Sequence, residues 1–321
     1  MASYLIDTNI WRYLFDTGSS SELFRLAKKN NEKIVIAPSV LYEIARMQDV
    51  STRDGILRLV TDKRVNRLMP EAYSQSEEMI GEVTRLRRNW LNENADQAWY
   101  RRIRHDWRRS KGGIWDRFRS QPQLAVSFLE LSEEDQVQEM REKFESQRSQ
   151  AKQYKVDFSE FEIDKFTTQL EGADCPAEYR NVPFPYWRAA SFREMTVNLS
   201  MGPNSPYKEW LSGRLNLAVV NVNNPSWVKF WLEDVSPEQL PRFWVSAAFE
   251  ILQVYRKTSP GTVADTQLSN YLVDVDYVVS ADRLFCEVTS KVHSQCPFRI
   301  AEPIRLKGGA AGIEELFELM S

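Results

Sequence analysis

Short apolar runs alternate with amphipathic segments at the start of the chain. Ser3 to Ile6 and Lys33 to Ala37 have the length and apolar character that predict buried strands. The segment between them has apolar residues at helical spacing, and Asp7-Thr-Asn supplies the turn into it. Pro38, a favourable first residue of a helix, opens a further amphipathic segment, Ser39 to Met47. The pattern predicts strand, helix, strand and helix in that order.

The same alternation continues to about residue 90 and returns after residue 235. The further predicted elements are a helix through Ile56 to Val60, a strand at Val65 to Met69, a helix from about Ser74 to Trp90, helices from Ser236 to Tyr255 and from Thr262 to Leu272, a strand at Asp276 to Ser280, a helix from Leu284 to Val292, a strand at Phe298 to Ile304 and a terminal helix from Ile313. Such alternation favours a parallel sheet covered by helices. The predicted fold class is therefore α/β, a three-layer α/β/α arrangement around a central parallel sheet.

The middle of the chain has a different pattern. Residues 91–235 lack regular strand-helix alternation and are rich in tryptophan. Asn94-x-x-Gln97 resembles a capping box and opens a helix that Gly112-Gly113 breaks, and Ser132-x-x-Asp135 opens a second helix to about Tyr154. Cys175 to Pro185 and Gly202 to Pro206 predict irregular connections. We interpret 91–235 as a mostly helical insertion between two parts of one core, residues 1–90 and 236–321.

Composition excludes several classes of protein. With 321 residues, 42% hydrophobic and 27% charged, the chain is in the range of folded globular proteins and can form one interrupted domain or two units. Its apolar runs, such as Leu215 to Val222, are far shorter than the roughly 18 residues of a membrane span. Three cysteines without a CxxC pair suit a reducing compartment, and the first residues show no export signal. We therefore expect a cytoplasmic protein.

Four carboxylates occur where a parallel sheet would present them. Asp7 ends the first strand, Glu43 lies in the helix after the second, Asp265 begins a late helix, and Asp282 follows the strand Val278-Val279-Ser280. The carboxyl ends of the strands and the helix N-termini that follow them form the ligand crevice of such sheets. All four acids are therefore expected in one cavity.

Clustered carboxylates repel one another unless a cation offsets their charge. The chain has only two histidines, too few for a His-rich zinc site or an HExxH protease, so a catalytic metal has to be held by oxygen. Mg²⁺ or Mn²⁺ prefers such ligands, and either ion can activate water and stabilise charge on a phosphodiester. The acids thus predict metal-dependent hydrolysis of nucleic acid.

These residues also carry a family resemblance. The segments Tyr4-Leu-Ile-Asp7-Thr-Asn9, Ala37-Pro-Ser-Val-Leu-Tyr-Glu43, Asp265 with Leu268 and Tyr271, and Val278-Val-Ser-Ala-Asp282-Arg-Leu-Phe285 resemble PIN-domain ribonucleases, in particular the VapC-like toxin nucleases of bacterial toxin-antitoxin pairs. The resemblance covers about half of the chain. It implies an endoribonuclease in which Asp7, Glu43, Asp265 and Asp282 bind the metal, with Thr8, Asn9 and Ser280 as polar supports. Ser280 stands where the family often has Thr. The resemblance further implies a protein inhibitor or antitoxin, and a homodimer, as partners.

Each acid also has a plainer interpretation. Asp7 and Asp282 are suited to cap the helices that follow them, Asp265 fits a capping box with Thr262, and a lone Glu43 would be a solvated helix residue. A haloacid dehalogenase would want an acid at the position of Asn9. The chain has neither a GxxxxGK[ST] nor a GxGxxG segment that would indicate nucleotide binding.

A basic stretch lies inside the insertion. Arg85 to Arg119 holds eleven Lys or Arg against four acids, with aromatic residues between them. Cations can follow phosphates while exposed aromatics stack on bases, so Arg101, Arg102, Arg104, Arg108, Arg109 and Lys111 are candidate RNA contacts. The alternative is a basic helix whose tryptophans are core, and Trp99 and Trp107 share a face with Ile103, which favours burial. An inert acidic site on an RNA-binding or assembly module is the corresponding alternative function.

Overall fold

A computed structural model gives the structure and describes residues 1–93, 97–109, 111–122, 157–170, 175–200, 205–255 and 260–321. In chain order the strands are β1 (Ser3–Ile6), β2 (Lys33–Ile36), β3 (Asn66–Arg67), β4 (Thr167–Gln169), β5 (Pro183–Pro185), β6 (Tyr277–Ser280) and β7 (Glu302–Arg305). The α-helices of the described residues are α1 (Thr8–Asp16), α2 (Ser20–Lys29), α3 (Pro38–Ala45), α4 (Val50–Val60), α5 (Glu71–Leu86), α6 (Gln97–Arg108), α7 (Ile114–Ser120), α8 (Tyr186–Ser200), α9 (Pro206–Leu211), α10 (Pro225–Lys229), α11 (Pro241–Gln253), α12 (Pro260–Ser269), α13 (Arg283–Gln295) and α14 (Ala310–Leu319). The helix predicted from Ser132 to about Tyr154 and the capping residue Asn94 lie outside the described residues.

Five parallel strands form the central sheet, in the order β3, β2, β1, β6, β7. Tyr4 of β1 lies opposite Ile34 of β2 on one side and opposite Tyr277 of β6 on the other. Leu5 and Ile6 point to opposite faces of the sheet, and both are fully buried, so both faces are covered. This confirms the predicted α/β class, with a central parallel sheet flanked by helices.

The strand order reverses direction between β1 and β6. From β1 the sheet grows outward through β2 to β3, whereas β6 and β7 add on the other side. Such a reversal leaves a crevice at the carboxyl ends of the strands in open parallel sheets. Asp7 directly follows β1, and Asp282 comes two residues after the end of β6. The topology therefore brings residues from both ends of the sequence to one edge of the sheet.

Some element limits differ from those predicted. The strand predicted at Phe298 to Ile304 is β7, Glu302–Arg305, because its register is fixed by β6, where Tyr277 lies opposite Glu302. Ala301, just before β7, donates its N–H to the carbonyl of Leu272 at 2.7 Å, outside the sheet. The apolar run before the strand is thus used in a buried connection rather than in the sheet.

The chain divides into two compact units. The sheet unit comprises the described residues of Met1–Pro70, His105–Val156 and Leu252–Ser321, and the helical unit comprises those of Glu71–Arg104 and Asp157–Ile251. Helix α5, which the sequence placed with the sheet, belongs to the helical unit because it packs against α9. The domain limits predicted at residues 90/91 and 235/236 stay a prediction, and the compact units divide at other residues.

Aromatic packing dominates the helical unit. The rings of Trp90, Trp227, Phe230 and Trp231 contact one another in series, at centroid distances between 5.3 and 6.2 Å. β4 and β5 form a short antiparallel pair in which Thr168 lies opposite Phe184. That pair was not predicted, and β5 lies in the segment Cys175 to Pro185, which the sequence predicted as an irregular connection. Among the described residues, no helix is long and apolar enough to cross a membrane.

Candidate functional site

A cavity of about 540 Å³ opens in the sheet unit at the carboxyl ends of β1 and β6. All four predicted acids, Asp7, Glu43, Asp265 and Asp282, line it. They come from the end of β1, from α3, from α12 and from the start of α13. The structure therefore brings together acids that are up to 275 positions apart in the sequence.

Asp7 is the most constrained of the four acids. Its side chain is only 9% exposed. Oδ1 accepts the backbone N–H of Thr8 at 2.6 Å, and Oδ2 accepts hydrogen bonds from the Ser280 hydroxyl and the Asn9 amide, each at 2.6 Å. Burial raises the pKa of Asp7, as does the charge of Asp282, whereas the three hydrogen bonds act in the opposite direction. The three donors favour the ionised form of the Asp7 carboxylate, whereas burial disfavours that form.

Ser280 and Asn9 connect the two central strands at this edge. Asn9 donates to the Ser280 hydroxyl at 3.1 Å and accepts the backbone N–H of Ala281 at 3.0 Å. The Ser280 hydroxyl also accepts the backbone N–H of Asp282 at 2.9 Å. The three predicted supporting residues, Thr8, Asn9 and Ser280, thus all lie beside the acids, and Ser280 links Asp7 to Asp282.

Glu43 lies on the cavity-facing side of α3. It accepts a hydrogen bond from the Thr8 hydroxyl at 2.5 Å, so Thr8 bonds one acid through its backbone and a second through its side chain. Burial, followed by the charge of Asp7 and in smaller part that of Asp282, raises the pKa of Glu43 to about 7, although the Thr8 hydrogen bond and Arg46 act in the opposite direction. Glu43 is therefore not the solvated helix residue of the plainer interpretation.

Asp282 and Asp265 complete the acidic wall. Asp282 caps α13, because its Oδ1 accepts the N–H of Phe285 at 2.9 Å, so it both caps a helix and lines the cavity. Asp265 is half-buried in the middle of α12, which begins at Pro260. The helix begins at Pro260, two residues before the start at Thr262 that the sequence predicted, and the capping box of Thr262 with Asp265 stays a prediction.

The acids share a cavity without forming a closed coordination shell. Within the parts of the chain that the structure describes, no group of three or more Asp, Glu, His or Cys side chains has a geometry that could hold a metal ion. Cys286 lies near the acids, but burial and the charges of Asp7 and Asp282 raise the pKa of its thiol to about 12. It is therefore a protonated, buried thiol at neutral pH.

The basic stretch is divided between internal ion pairs and exposed cations. Arg109 and Arg117 both bind Asp106, and both donate to the carbonyl of Gly112. Arg104 donates to the Tyr73 hydroxyl at 3.1 Å. Of the six predicted RNA contacts, Arg104 and Arg109 are thus used in intramolecular contacts.

The other four predicted contacts are exposed. Arg101, Arg102, Arg108 and Lys111 lie at the surface, and Arg102 sits 4.7 Å from the ring centre of Trp99. Trp99 is 45% exposed, so the expectation that it is buried with Trp107 is wrong. On a helix of 3.6 residues per turn, positions 99 and 107 differ by about 80° and do not share one narrow stripe.

Apart from Asn9, the residues of α1 that line the cavity and Ser39 of α3 were not predicted from the sequence. Asn9, Arg12, Tyr13 and Asp16 follow one another at helical spacing along α1 and all line the cavity, as does Ser39 of α3. The spacing of the α1 residues from Asn9 was a usable signal. No sequence signal marks Ser39, since its role depends on what surrounds its hydroxyl in three dimensions.

Comparison with protein-family models, with curated proteins and with solved structures finds no match to this chain.

Proposed function

We propose that this chain is a metal-dependent endoribonuclease of the PIN-domain type, which hydrolyses RNA phosphodiester bonds with Mg²⁺ or Mn²⁺. The observation that carries the proposal is the meeting of Asp7, Glu43, Asp265 and Asp282 in one cavity at the reversal point of a parallel sheet. These are the acids, in the order, that the PIN resemblance names. The PIN-like character of the three-layer fold belongs to the same proposal.

The donor chemistry of the cavity suits an oxygen-preferring divalent ion. Two of its carboxylates, Asp7 and Glu43, have raised pKa values because they are buried close to other acids. A cation held by Asp7, Asp265 and Asp282, with Glu43 as a further ligand or as the group that positions water, would relieve that repulsion. Bound there, the ion would supply an activated water and stabilise charge on the phosphodiester.

The protein groups around the acids have separate tasks in this proposal. Ser280 and Asn9 hold Oδ2 of Asp7, and the backbone of Thr8 holds Oδ1, so the carboxylate is fixed before substrate arrives. The Thr8 hydroxyl fixes Glu43. A carboxyl with a pKa of about 7 is suited to accept a proton from a water near neutral pH. We therefore assign Glu43 to positioning the attacking water, unless it binds the ion directly.

A cleavage assay tests the proposal. Mixed cellular RNA is incubated with the wild-type chain in Mg²⁺ and in EDTA, and with Asp7→Asn and Glu302→Gln in Mg²⁺. Glu302 is the matched control, because it is an exposed acid on β7 outside the cavity. We expect cleavage by wild type and Glu302→Gln in Mg²⁺ only, and a loss of more than about 100-fold in Asp7→Asn, beyond what outer-shell groups usually contribute. Equal activity in all four reactions would reject the metal mechanism.

A second candidate function is an RNA-binding or assembly module with an inert acidic site. Two observations favour it: no metal-holding group is formed among the described residues, and Asp7 and Asp282 already serve as helix caps. Exposed Arg101, Arg102 and Arg108 on α6 would then provide the RNA contacts. Tight, salt-sensitive RNA binding without cleavage in any metal would select this function over the first.

The biological role that we propose is that of a toxin or defence effector, whose acidic cleft a protein inhibitor would cover. Expression of the wild-type chain in bacteria should then arrest growth, and Asp7→Asn should relieve the arrest. Growth arrest by both chains alike would contradict a toxin that acts through this cavity.

A further inference from the structure

One helical turn beyond the acids, the cavity is lined by a cation, Arg12, beside the acidic Asp16. Asn9, at the inner end of α1, contacts the acids, and Arg12 follows it one helical turn further out, about 4.5 Å along the helix axis. Arg12 is the one cation among the described residues that line the cavity. A purely acidic cavity would repel a polyanionic substrate, so a cation one turn away from the acids is significant.

The charge of Arg12 is only loosely engaged inside the protein. Its side chain is 59% exposed, and its Nε lies 3.7 Å from Asp16, which is itself half exposed. It also lies near Asp49, whose pKa is lowered chiefly by the backbone hydrogen bond from Thr52 and in smaller part by Arg12. A pair of this kind contributes little to stability. The guanidinium can therefore turn to an incoming anion at small cost.

Ser39 provides an independent sign of a ligand. It lines the same cavity, it is 6% exposed, and its buried hydroxyl has no hydrogen-bond partner among the described residues. A buried hydroxyl without a partner is costly, and among the buried atoms of this kind Ser39 Oγ belongs to a residue that lines the cavity, where a ligand can supply the missing partner.

Ser39 also lies in the first turn of α3, which no side chain caps. The residue before the helix, Ala37, has no side chain that can cap it, and Pro38 has no N–H. The first N–H groups of a helix have no partner within the helix, and its N-terminus carries partial positive charge. Ser39 and Val40 both line the cavity, so this end of α3 faces the ligand space.

We propose that Arg12, the Ser39 hydroxyl and the N-terminal turn of α3 form a phosphate-binding subsite for a backbone phosphate of a nucleic-acid substrate. The inference rests on the proposed function for the identity of the substrate, and it names how that substrate is held. The acids act on one phosphodiester, and this subsite holds another phosphate of the same strand. Charge-assisted bonds from Arg and donors at a helix N-terminus are the groups that bind phosphate.

Equilibrium binding tests the subsite without metal or cleavage. A fluorescently labelled single-stranded RNA of twelve nucleotides is titrated in EDTA with the full chain carrying Asp282→Asn, and anisotropy is followed over a range of salt concentrations. Asn at position 282 keeps the cap of α13 and removes one negative charge from the cavity. Arg12→Gln, Ser39→Ala and the control Arg25→Gln are each added to that background. Arg25 is an exposed cation on α2, paired with Glu22, outside the cavity.

Arg12→Gln and Ser39→Ala should change RNA binding in different ways. Arg12→Gln should lower affinity about tenfold at low salt and reduce the slope of log K against log salt by about 0.7, because one phosphate contact is lost. Ser39→Ala should lower affinity about threefold to fivefold with an unchanged slope, since a neutral donor releases no counterion. Its melting temperature should stay the same or rise, because the unpartnered hydroxyl is gone. A residue with a merely structural role would lose stability instead.

Outcomes for the subsite and for the nuclease proposal are separable. If either Arg12→Gln or Ser39→Ala binds the RNA like Arg25→Gln, or the background chain does not bind it at all, the subsite is overturned. Loss of binding in both variants supports the subsite even if the wild-type chain fails to cleave RNA in Mg²⁺. Failure to cleave would contradict only the proposed hydrolysis.

Discussion

Glu43→Gln is expected to stabilise the metal-free protein, by an amount that depends on pH. Burial, with a further contribution from the charge of Asp7, raises the pKa of Glu43 from 4.5 to about 7. At about 1.4 kcal/mol for each pKa unit, the ionised carboxylate destabilises the folded state by about 3 kcal/mol. Gln has nearly the same shape and no charge, and its amide oxygen can still accept the hydrogen bond from Thr8.

The sign of the effect follows from the two pKa values. Below pH 4.5 the carboxyl is protonated in both the folded and the unfolded chain, so wild type and variant should be equally stable. Between pH 4.5 and about 7 the unfolded chain ionises first, so wild type loses stability relative to the variant as pH rises. Above about pH 7 the carboxyl is ionised in both states, and the difference should stay constant.

Urea unfolding in EDTA at pH 4.5, 6 and 8, followed by circular dichroism, measures the difference. Glu302→Gln is the control, because Glu302 is exposed and should show no pH-dependent gain. A gain for Glu43→Gln that is the same at all three pH values, or a wild type that is the more stable at pH 8, would refute the reasoning. Either result would mean that the folded protein does not bury the Glu43 carboxylate close to other negative charges.

Three further predictions concern other parts of the molecule. Mg²⁺ at about 100 times its dissociation constant should raise the free energy of unfolding of wild type and Glu302→Gln by about 2.7 kcal/mol. It should leave Asp282→Asn nearly unchanged, which thermal melting would show. An equal rise in all three proteins would contradict ion binding by the acids. Asp106→Asn should release Arg109 and Arg117 from their ion pairs and so increase RNA affinity at low salt in a filter-binding assay. The loss of stability should be about 1 kcal/mol or less, because these ion pairs are partly exposed. Unchanged affinity would show that the released cations do not reach RNA. Gly113→Ala should destabilise the protein by about 2 kcal/mol or more in the same urea titration, since a Cβ there would lie 2.5 Å from the Asp106 carbonyl oxygen. Gly81→Ala on α5, with open space around it, should instead stabilise the protein by about 0.5–1 kcal/mol. Similar values for the two variants would contradict the packing of Gly113.

The sheet and the acids at its edge were predictable because they depend on local signals. A strand buried on both faces needs a continuous apolar run, and Tyr4 to Ile6 and Val278 to Val279 have one. Asp7 and Asp282 come directly after such runs, where the chain turns into a helix. Parallel pairing then puts both residues at the same edge, without any knowledge of the residues between them.

Other features depend on contacts that no local pattern encodes. Arg117 and Arg101 look equivalent in the sequence, but the turn at Gly112 brings Arg117 to Asp106 and leaves Arg101 at the surface. Trp107 is buried, whereas Trp99, about 80° from it around the helix, is 45% exposed, so the i, i+4, i+8 series does not mark one buried stripe of α6. Ser39 is another case, because an unpartnered hydroxyl is recognised only when its neighbours are known.

The cavity combines several features that oppose folding. Asp7 and Glu43 are buried against like charge, Ser39 buries a hydroxyl without a partner, and Asp282 adds its charge to the same space. The fold offsets part of this cost locally, since Asp7 and Asp282 cap helices and Ser280, Asn9 and Thr8 donate to the acids. In a natural sequence, local conflicts of this kind are expected where a ligand resolves them. A divalent ion would resolve the repulsion among the acids, and a phosphate would resolve the unpartnered Ser39, so the proposed nuclease function and the proposed subsite would each relieve one of the two conflicts.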